Sequence, residues 1–359
     1  IESRYEAYLR QEVADCPQCQ RRLKARPAEA RTVETLVGPG TLKRPYFYCA
    51  ACRHGFYPLD DALGLSSRVK QADVQHAGVK LGLEMPCQRA ATLLGELTDA
   101  SMSDYTIHEV MHELGDGLDV LQVAPSPATI QARVAQAAKG RKWKPILVLT
   151  ADAALVPSRP EDAKGTRPGR KKSRARRRRW KGDYYEAKGF RFYLVDDDRI
   201  VHLLSWHQVG DEAAFGAALR QVKEAGLIPE DQVRLCAIAD GAPWIWKWIQ
   251  ALFPEARQIL DYYHCSGYLH AVAEAQYADD PVRATQWVEG VLARLFCGEG
   301  AAVVWGLQRM KPASEAAEEA IDDASKYLGK RLHQVDYASH RKGGYPIGSG
   351  AIESAHRFI

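Results

Sequence analysis

Three acidic residues of this chain have the types and positions needed for metal-assisted phosphodiester chemistry. Asp152 ends the apolar segment PILVLTAD, and Asp240 ends a second one, VRLCAIAD. Glu353 follows a Gly-Ser-Gly break in GSGAIES, where a helix is expected to start. Carboxylate oxygens suit Mg²⁺ or Mn²⁺, and a pair of such ions can activate a water or a 3′-hydroxyl and stabilise the leaving oxygen. The pattern predicts Asp152, Asp240 and Glu353 as catalytic metal ligands.

Glu353 also has a local interpretation. If Gly350 is the helix N-cap, Glu353 is the third helical residue, where an acid interacts well with the helix dipole and the free N–H groups. The two interpretations are compatible, because a fixed helix start would aim the carboxylate at a metal pair. A single Asp after a strand is weak support for a site, since Asp is common in turns.

The eight cysteines fall into two groups. Cys16 and Cys19 form one CxxC pair, and Cys49 and Cys52 form another. Four thiolates on two tight turns match the ligands of a tetrahedral Zn²⁺ ion, so we expect a structural zinc ribbon rather than two disulfides. The other four are expected to be buried free thiols in a reducing cytoplasm; they are Cys87, Cys236, Cys265 and Cys297.

Charge is unevenly distributed along the 359 residues, although the net charge is only +4. Residues 164–181 hold 11 Lys or Arg and no acid, and subtracting these 11 from 49 leaves 38 basic residues against 45 acidic ones. Eleven like charges repel one another, so this basic segment is expected to be a solvated loop that contacts a polyanion. The residues expected to contact DNA there are Arg170, Lys171, Lys172, Arg174, Arg176, Arg177, Arg178, Arg179 and Trp180.

The elements that must position these side chains follow from hydrophobic periodicity. Predicted strands at 145–152, 184–195 and 199–207 are followed by a helix at 211–227 and by strands at 233–240 and 256–261, each with a helix after it. The order β, β, β, α, β, α, β, α predicts an α/β fold with a mixed sheet, the order of the ribonuclease-H-like fold. Groups at the carboxyl ends of its strands should converge on one crevice.

A helical region at 67–140 precedes the predicted sheet. RAATLLGEL, a polar turn and DYTIHEVMHEL resemble a helix-turn-helix, with Tyr105 to Leu114 as the recognition helix, although a purely structural bundle fits equally well. His108 and His112 lie four residues apart on that helix, which invites a metal interpretation. No third ligand is evident in the sequence, so solvated or packing histidines are expected.

Several motifs together resemble one known family. IADGAPWIW around Asp240, DYYHC at 261–265 and YPIGSGAIESAHR at the end are similar to bacterial insertion-sequence transposases of the Mutator-like DDE superfamily, specifically the Kra branch. The resemblance covers most of the chain, including the CxxC pairs. It implies a ribonuclease-H-like catalytic core with an all-helical insertion before the final Glu. It also implies metal-dependent DNA cleavage and strand transfer at the ends of an insertion sequence, without a covalent protein–DNA intermediate.

The same resemblance suggests roles for two further residues. His264 follows Asp261 by three positions, as in the D-x2-H motif of related transposases, and is expected to position DNA near the active site. Its alternative is a histidine packed under the sheet. Asp261 is expected to cap a helix rather than to bind metal. The implied cofactors are Mg²⁺ (or Mn²⁺) at the carboxylates and structural Zn²⁺.

These expectations define six regions and their partners. The regions are a partial helix at 1–15, a zinc ribbon at 16–66, a helical DNA-binding region at 67–140, a ribonuclease-H-like core at 141–279, a helical insertion at 280–344 and a truncated final catalytic helix at 345–359. The expected partner is double-stranded DNA (transposon ends and target), bound by a homo-oligomer. No apolar run reaches the ~20 residues of a membrane span, so a cytoplasmic, nucleoid-associated protein is expected. The alternative is a catalytically inactive, transposon-derived DNA-binding protein.

Overall fold

A long β-hairpin and a group of three helices make up most of the first of two units. The computed structural model describes residues 2–157, 183–196 and 199–355, and the chain divides into the units Ile1–Leu118 and Asp119–Ile359. The strands of the first unit are β1 (Val13–Asp15), β2 (Arg22–Lys24), β3 (Arg26–Thr35), β4 (Gly38–Cys49) and β5 (His54–Phe56). Its helices are α1 (Glu2–Leu9), α2 (Pro58–Leu63), α3 (Ala72–Glu84), α4 (Cys87–Leu97) and α5 (Asp104–Gly115).

The helix expected over residues 1–15 is shorter than predicted. It ends at Leu9, and Val13–Asp15 instead pairs antiparallel with Arg22–Lys24. The reason is the tight turn between these strands, which holds the first CxxC pair and requires extended chain on both sides. Strands β3 and β4 then form a long antiparallel hairpin, with Thr35 opposite Gly38 at its turn.

Helices α3, α4 and α5 pack around a small apolar core of their own. Its buried residues include Val74, Leu94, Ile107 and Val110. The expected helix pair is therefore present, and Ser103 caps α5 by accepting a hydrogen bond from the Thr106 N–H at 3.0 Å. Both helices of the pair pack on α3, so they also serve a structural bundle.

The second unit contains a five-stranded sheet and ten helices among its described residues. The strands are β6 (Ile146–Pro157), β7 (Tyr184–Asp196), β8 (Arg199–Val209), β9 (Arg234–Ala239) and β10 (Arg257–Leu260). The helices are α6 (Val120–Val123), α7 (Pro127–Ala138), α8 (Glu212–Glu224), α9 (Pro243–Leu252), α10 (Tyr262–Gln276), α11 (Pro281–Phe296), α12 (Gly300–Gln308), α13 (Glu315–Gly329), α14 (Tyr337–Lys342) and α15 (Gly350–Ala355). A short 3₁₀ helix, Leu332–Gln334, precedes α14.

The sheet has the strand order β10-β9-β6-β7-β8 and is of mixed type. Within this sheet, the first three strands in chain order, β6, β7 and β8, pair antiparallel. Strand β9 runs parallel to both β6 and β10. The predicted order of elements is therefore observed, and β6 lies in the middle of the sheet. Its residues Leu147 to Leu149 are fully buried, as expected for a strand covered on both faces.

Strand β6 does not end at Asp152, as the sequence suggested. It continues to Pro157 because β7 keeps pairing with it as far as Tyr184. Its other neighbour, β9, stops earlier, at the pair Ala151–Ala239. Asp152 thus follows the last residue of β6 that pairs with β9. On the other side of the strand it still pairs with Gly189 of β7.

Helices cover the sheet and form most of the chain after β10. Phe192 of β7 meets Phe253 at 6.1 Å between ring centroids, and Phe215 of α8 meets Trp244 of α9 at 4.8 Å. The region expected to be a helical insertion contains α11 to α14. Among the described residues, none of the helices combines the length and apolarity that crossing a bilayer requires.

Candidate catalytic and metal sites

Asp152 and Asp240 occupy matching positions on neighbouring parallel strands. Ala151 of β6 lies opposite Ala239 of β9, and each is followed directly by the acid. Leu260 of β10 lies opposite Ala239 on its other side, so Asp261 continues the same row. Parallel strands end at one edge of a sheet, and this register brings three aspartates to that edge.

Asp240 holds the residues that follow it through two hydrogen bonds. The Asp240 Oδ1 accepts the Ala242 N–H at 2.9 Å, and the Trp246 indole N–H donates to the Asp240 carbonyl at 2.7 Å. Asp152 Oδ1 accepts the following Ala153 N–H at 2.7 Å. Asp152 and Asp240 are both half-buried.

Helix α13 packs closely on the turn after Asp240. A Cβ atom at Gly241 would lie 2.3 Å from the Tyr327 ring, and Arg331 donates to the Gly241 carbonyl at 2.5 Å. Tyr327 in turn stacks on Tyr268 of α10 with ring centroids 4.0 Å apart. Burial raises the pKa of the Tyr327 hydroxyl, so this ring stays neutral. Glycine is required at 241 because any side chain would separate the turn from α13.

Helix α15, which carries Glu353, packs against β6 and β7. Arg191 of β7 donates to the Ala351 carbonyl at 2.7 Å and to the Ser354 hydroxyl at 3.3 Å. In the β6–β7 ladder, Arg191 pairs with Thr150, and Gly189 pairs with Asp152. Positions two residues apart on a strand share a face, so Arg191 holds α15 on the same face of the sheet as Asp152.

Asp261 fixes the segment that leads into α15. It is fully buried, and its Oδ1 caps α10 by accepting the N–H groups of Tyr263 at 2.6 Å and His264 at 3.2 Å. Its Oδ2 accepts the Ser349 N–H at 2.7 Å and also the Ser349 hydroxyl. The expected N-cap role is therefore confirmed, and the same carboxylate binds the residue directly before α15.

Glu353 and His264 line one open pocket of about 510 Å³, together with Tyr263 and Tyr268. His264 is exposed in the first turn of α10, so the alternative in which it packs under the sheet is wrong. It cannot pack there because Asp261 caps α10 and directs the neighbouring His outward. Glu353 is exposed in the first turn of α15, which begins at Gly350, so Gly350 is its first residue rather than its N-cap.

His207 is a neighbour of Asp152 that the sequence did not suggest. Gly189 pairs with Asp152 on one side and with His207 on the other, so the three residues form a row across β6, β7 and β8. The His207 ring occupies the space of a side chain at position 189, where a Cβ atom would meet it at 1.9 Å. A glycine inside the strand pattern YYEAKGFRF was the available signal, since such a glycine often marks a close approach.

The four CxxC cysteines form a compact cluster in the first unit. Their sulfur atoms all lie within 4.8 Å of one another, with Cys16 and Cys52 at 4.0 Å and Cys19 and Cys49 at 3.7 Å. Tetrahedral zinc–thiolate bonds of about 2.3 Å require sulfur atoms about 3.8 Å apart, so the donor set fits this ion. Among the described residues, no comparably compact group of carboxylates is found.

Hydrogen bonds within this cluster shift the pKa values of two thiols in opposite directions, and the contact with Cys19 raises the pKa of Cys52 to about 12. The Cys52 N–H lowers the pKa of Cys49 to about 7 by hydrogen bonding to its sulfur. The scattered cysteines differ from the expectation in two cases. Cys236 and Cys265 are buried, but Cys87 is half-buried and Cys297 is exposed, because both lie at helix ends rather than inside the core.

The predicted DNA-contacting residues are only partly described. The basic segment 164–181, including Trp180, lies outside the described residues. The predicted recognition helix, α5, has an exposed surface that is acidic: it carries Asp104, Glu109 and Glu113 and no Lys or Arg. Such a helix does not attract phosphate by its own charge.

Comparisons with known proteins give a family match and distant matches to several solved structures. No curated protein matches the chain. The crystal structure of the mariner Mos1 paired end complex with Mg aligns at 13% identity over 73% of this chain and 79% of that one, with a TM-score of 0.18. The Mos1 Strand Transfer Complex aligns at 11% identity over 73% and 78%, with a TM-score of 0.16. These scores establish no common fold.

The family match is more extensive. Residues 10–301 match the model of UPF0236, described as an uncharacterised protein family. This span includes the cysteine cluster, the helical group and the whole five-stranded sheet. The chain therefore belongs to the UPF0236 family.

Proposed function

We propose that this protein is a DDE transposase of the Mutator-like superfamily, Kra branch, that cleaves and joins DNA at the ends of an insertion sequence. The observation that carries the proposal is the β6–β9 register, in which Ala151 opposes Ala239 and the acids Asp152 and Asp240 follow directly. Two carboxylates on adjacent strand positions are the minimum needed to share a pair of divalent cations.

The sheet topology supports this proposal. Three antiparallel strands followed by two parallel ones, in the order β10-β9-β6-β7-β8, agree with a ribonuclease-H-like core. In this core, α15 would carry Glu353. Hydrogen bonds from Arg191 to Ala351 and from Ser349 to Asp261 would keep this helix at the end of the sheet where the two aspartates lie. The helices α11 to α14 would be the insertion between the sheet and the final Glu.

The proposed metal ligands are Asp152, Asp240 and Glu353, with Mg²⁺ or Mn²⁺ as the ions. Hard oxygen donors fit such cations, and bound ions would supply Lewis-acid activation of the attacking oxygen and stabilisation of the leaving one. Since the described residues contain no compact carboxylate group, the site would be drawn together when metal and DNA bind. The hydrogen bonds between Asp261 and Ser349 would keep Glu353 close enough to join the two aspartates.

DNA binding is assigned to the basic segment and to the pocket beside Glu353. Eleven cations in residues 164–181 provide phosphate contacts, with Trp180 available to stack on a base. His264 would position DNA close to Glu353, because the two side chains line the same pocket. The cysteine cluster would bind a structural zinc ion, since all four positions are occupied by protein ligands.

The test uses the full chain and DNA that carries the inverted repeats flanking its gene. With Mg²⁺ or Mn²⁺ we expect nicks at the element ends and strand-transfer products. Asp152→Asn, Asp240→Asn and Glu353→Gln should each reduce cleavage at least about a hundredfold while DNA binding persists. Asp323→Asn, at an exposed carboxylate on α13, is the matched control and should cleave normally.

The outcomes separate three functions. Cleavage by the triple variant at the wild-type rate would show that the proposed carboxylates are not catalytic. Cleavage without strand transfer would instead indicate a nuclease. Salt-dependent DNA binding with no cleavage by the wild-type chain in either metal would favour an inactive, transposon-derived DNA-binding protein.

A further inference from the structure

Two histidines on α5 face each other at a distance that suits a shared metal ion. His108 and His112 lie four residues apart, so their side chains are on one face of the helix. Their Nε2 atoms are 3.2 Å apart, and their ring centroids are 4.3 Å apart. Both side chains are exposed, so this approach of the two rings is not imposed by core packing.

The distance between the two nitrogens agrees with the bite of a bidentate site. Imidazole nitrogen binds Zn²⁺ at about 2.0–2.1 Å, and two nitrogens 3.2 Å apart then subtend an angle of about 100° at the ion. This is close to the tetrahedral angle. A direct hydrogen bond between the two rings, with one ring donating and the other accepting, also fits the distance, and a metal titration separates the two cases.

The surroundings of the pair favour a cation. Helix α5 carries Asp104, Glu109 and Glu113, and Asp116 follows it, whereas the helix has no Lys or Arg. One nearby cation is Arg68, which forms ion pairs with Glu109 at 3.0 Å and with Glu113. Net charge at this face therefore remains negative after that pairing, which attracts a divalent ion.

The pair lies on an open surface of α5, so further coordination positions remain accessible to water. An open pocket of about 920 Å³ is lined by both histidines, Tyr105 and Asp116, among others. Among the described residues no third ligand atom lies close enough to complete a protein-only site. Such an open set differs from the cysteine cluster, in which every position is filled by sulfur.

We propose that His108 and His112 form a second, open metal site that binds Ni²⁺, Cu²⁺ or Zn²⁺ through both imidazoles. These are the ions that imidazole ligands favour, and the remaining positions are taken by water or an added ligand. A bound divalent ion would reduce the negative charge carried by this face of α5. The site is independent of the catalytic carboxylates and of the proposed function.

The experiment is a calorimetric titration with Ni²⁺ on the untagged full chain, already loaded with zinc at the cysteine cluster. We expect one additional equivalent of Ni²⁺ to bind. Because each imidazole makes the other's binding intramolecular, His108→Gln or His112→Gln should weaken this binding at least about a hundredfold. His76→Gln, at an exposed histidine on neighbouring α3, is the matched control and should bind as the wild type does.

Each outcome decides the proposal. Loss of the additional equivalent in both single variants, with retention in His76→Gln, supports the paired site. Unchanged Ni²⁺ binding in either His108→Gln or His112→Gln, or no additional equivalent in the wild type, overturns it. Circular dichroism and thermal melting of each variant check that the fold is retained, so that lost binding is not due to unfolding.

Discussion

Asp261 and Ser349 are joined by two hydrogen bonds, although 88 residues separate them in the chain. One oxygen of the buried carboxylate accepts from Ser349, and the other caps α10. Next to this pair, the Tyr262 N–H donates to the Ile347 carbonyl at 2.9 Å. A single buried acid therefore sets both the start of the helix with His264 and the position of the helix with Glu353.

Removal of the Ser349 hydroxyl should reduce both stability and cleavage. Ser349→Ala removes a hydrogen bond to one oxygen of the buried Asp261 carboxylate. Because that bond is charge-assisted, we expect the free energy of unfolding to fall by about 2 kcal/mol. Urea denaturation followed by tryptophan fluorescence measures this, because all eight tryptophans lie beyond residue 118.

The control is Ser314→Ala, which removes the N-cap of α13 at the exposed end of that helix. It should cost about 1 kcal/mol and leave cleavage unchanged. Equal cleavage by Ser349→Ala and Ser314→Ala would mean that Asp261 does not position Glu353.

A methyl group at position 241 should impair the candidate site through packing. Gly241→Ala places its Cβ against the Tyr327 ring, which cannot retreat because it stacks on Tyr268. We expect a loss of about 1–3 kcal/mol in the free energy of unfolding and a fall in cleavage, since the turn carrying Asp240 must shift. Gly290→Ala in α11 meets no atom within 4 Å and should be neutral or stabilising. Wild-type melting of Gly241→Ala would contradict this account of the turn.

Removal of zinc should unfold the first strands but not the five-stranded sheet. The purified chain is expected to contain zinc, measured by elemental analysis, and Cys49→Ser should lose it. Without the ion, β1, β2 and β5 have few other contacts, so amide exchange should accelerate there. Cys87→Ser, outside the cluster, should keep its zinc. A zinc-free wild-type chain with slow exchange in β1 would rule out the ribbon as a metal site.

The first unit should lose stability in acid through Glu34. The hydrogen bond from Lys70 and the Ser101 N–H at 2.8 Å lower the pKa of Glu34 from its ordinary value of 4.5. The unfolded chain then binds more protons than the folded one, so this stabilisation is present above pH 4.5 and is lost as the pH falls below it.

Amide exchange of α3, corrected for the intrinsic effect of pH, measures this loss. Glu34→Gln should show a flatter dependence on pH than the wild type, while Glu96→Gln, at an exposed residue of α4, should behave as the wild type does. An identical pH dependence for Glu34→Gln and the wild type would show that this carboxylate does not couple to stability.

How far the sequence predicts the structure depends on the range of the interactions involved. The strand before Asp240 was predictable because an apolar run ends directly in an acid. The extent of β6 was not, because its last residues are held by pairing with β7 rather than by a pattern of their own. Helix α5 was predictable from Ser103 and the hydrophobic periodicity after it. That periodicity does not indicate the acidity of its exposed face, which follows from the charges of its side chains.

The candidate site shows the same division. The residue types of Asp152, Asp240 and Glu353 indicate the chemistry, but nothing local indicates that Asp261 binds Ser349 or that Arg191 binds the carbonyl of Ala351. His207 could be placed beside Asp152 only once the register of three strands was known. Contacts between residues far apart in sequence leave no periodic signal, so they appear only in the folded chain.

The attachment of α15 has a consequence for the time at which the site forms during synthesis. Arg191 and Ala351 are 160 residues apart, and the Asp261–Ser349 contact also awaits the later residue. Domains generally fold from the N-terminus as the ribosome releases the chain, so the sheet can form while residue 353 is still being made. A nascent chain would thus carry Asp152 and Asp240 before Glu353 is in place, and the proposed DNA cleavage would be withheld until α15 has left the ribosome and packed on the sheet.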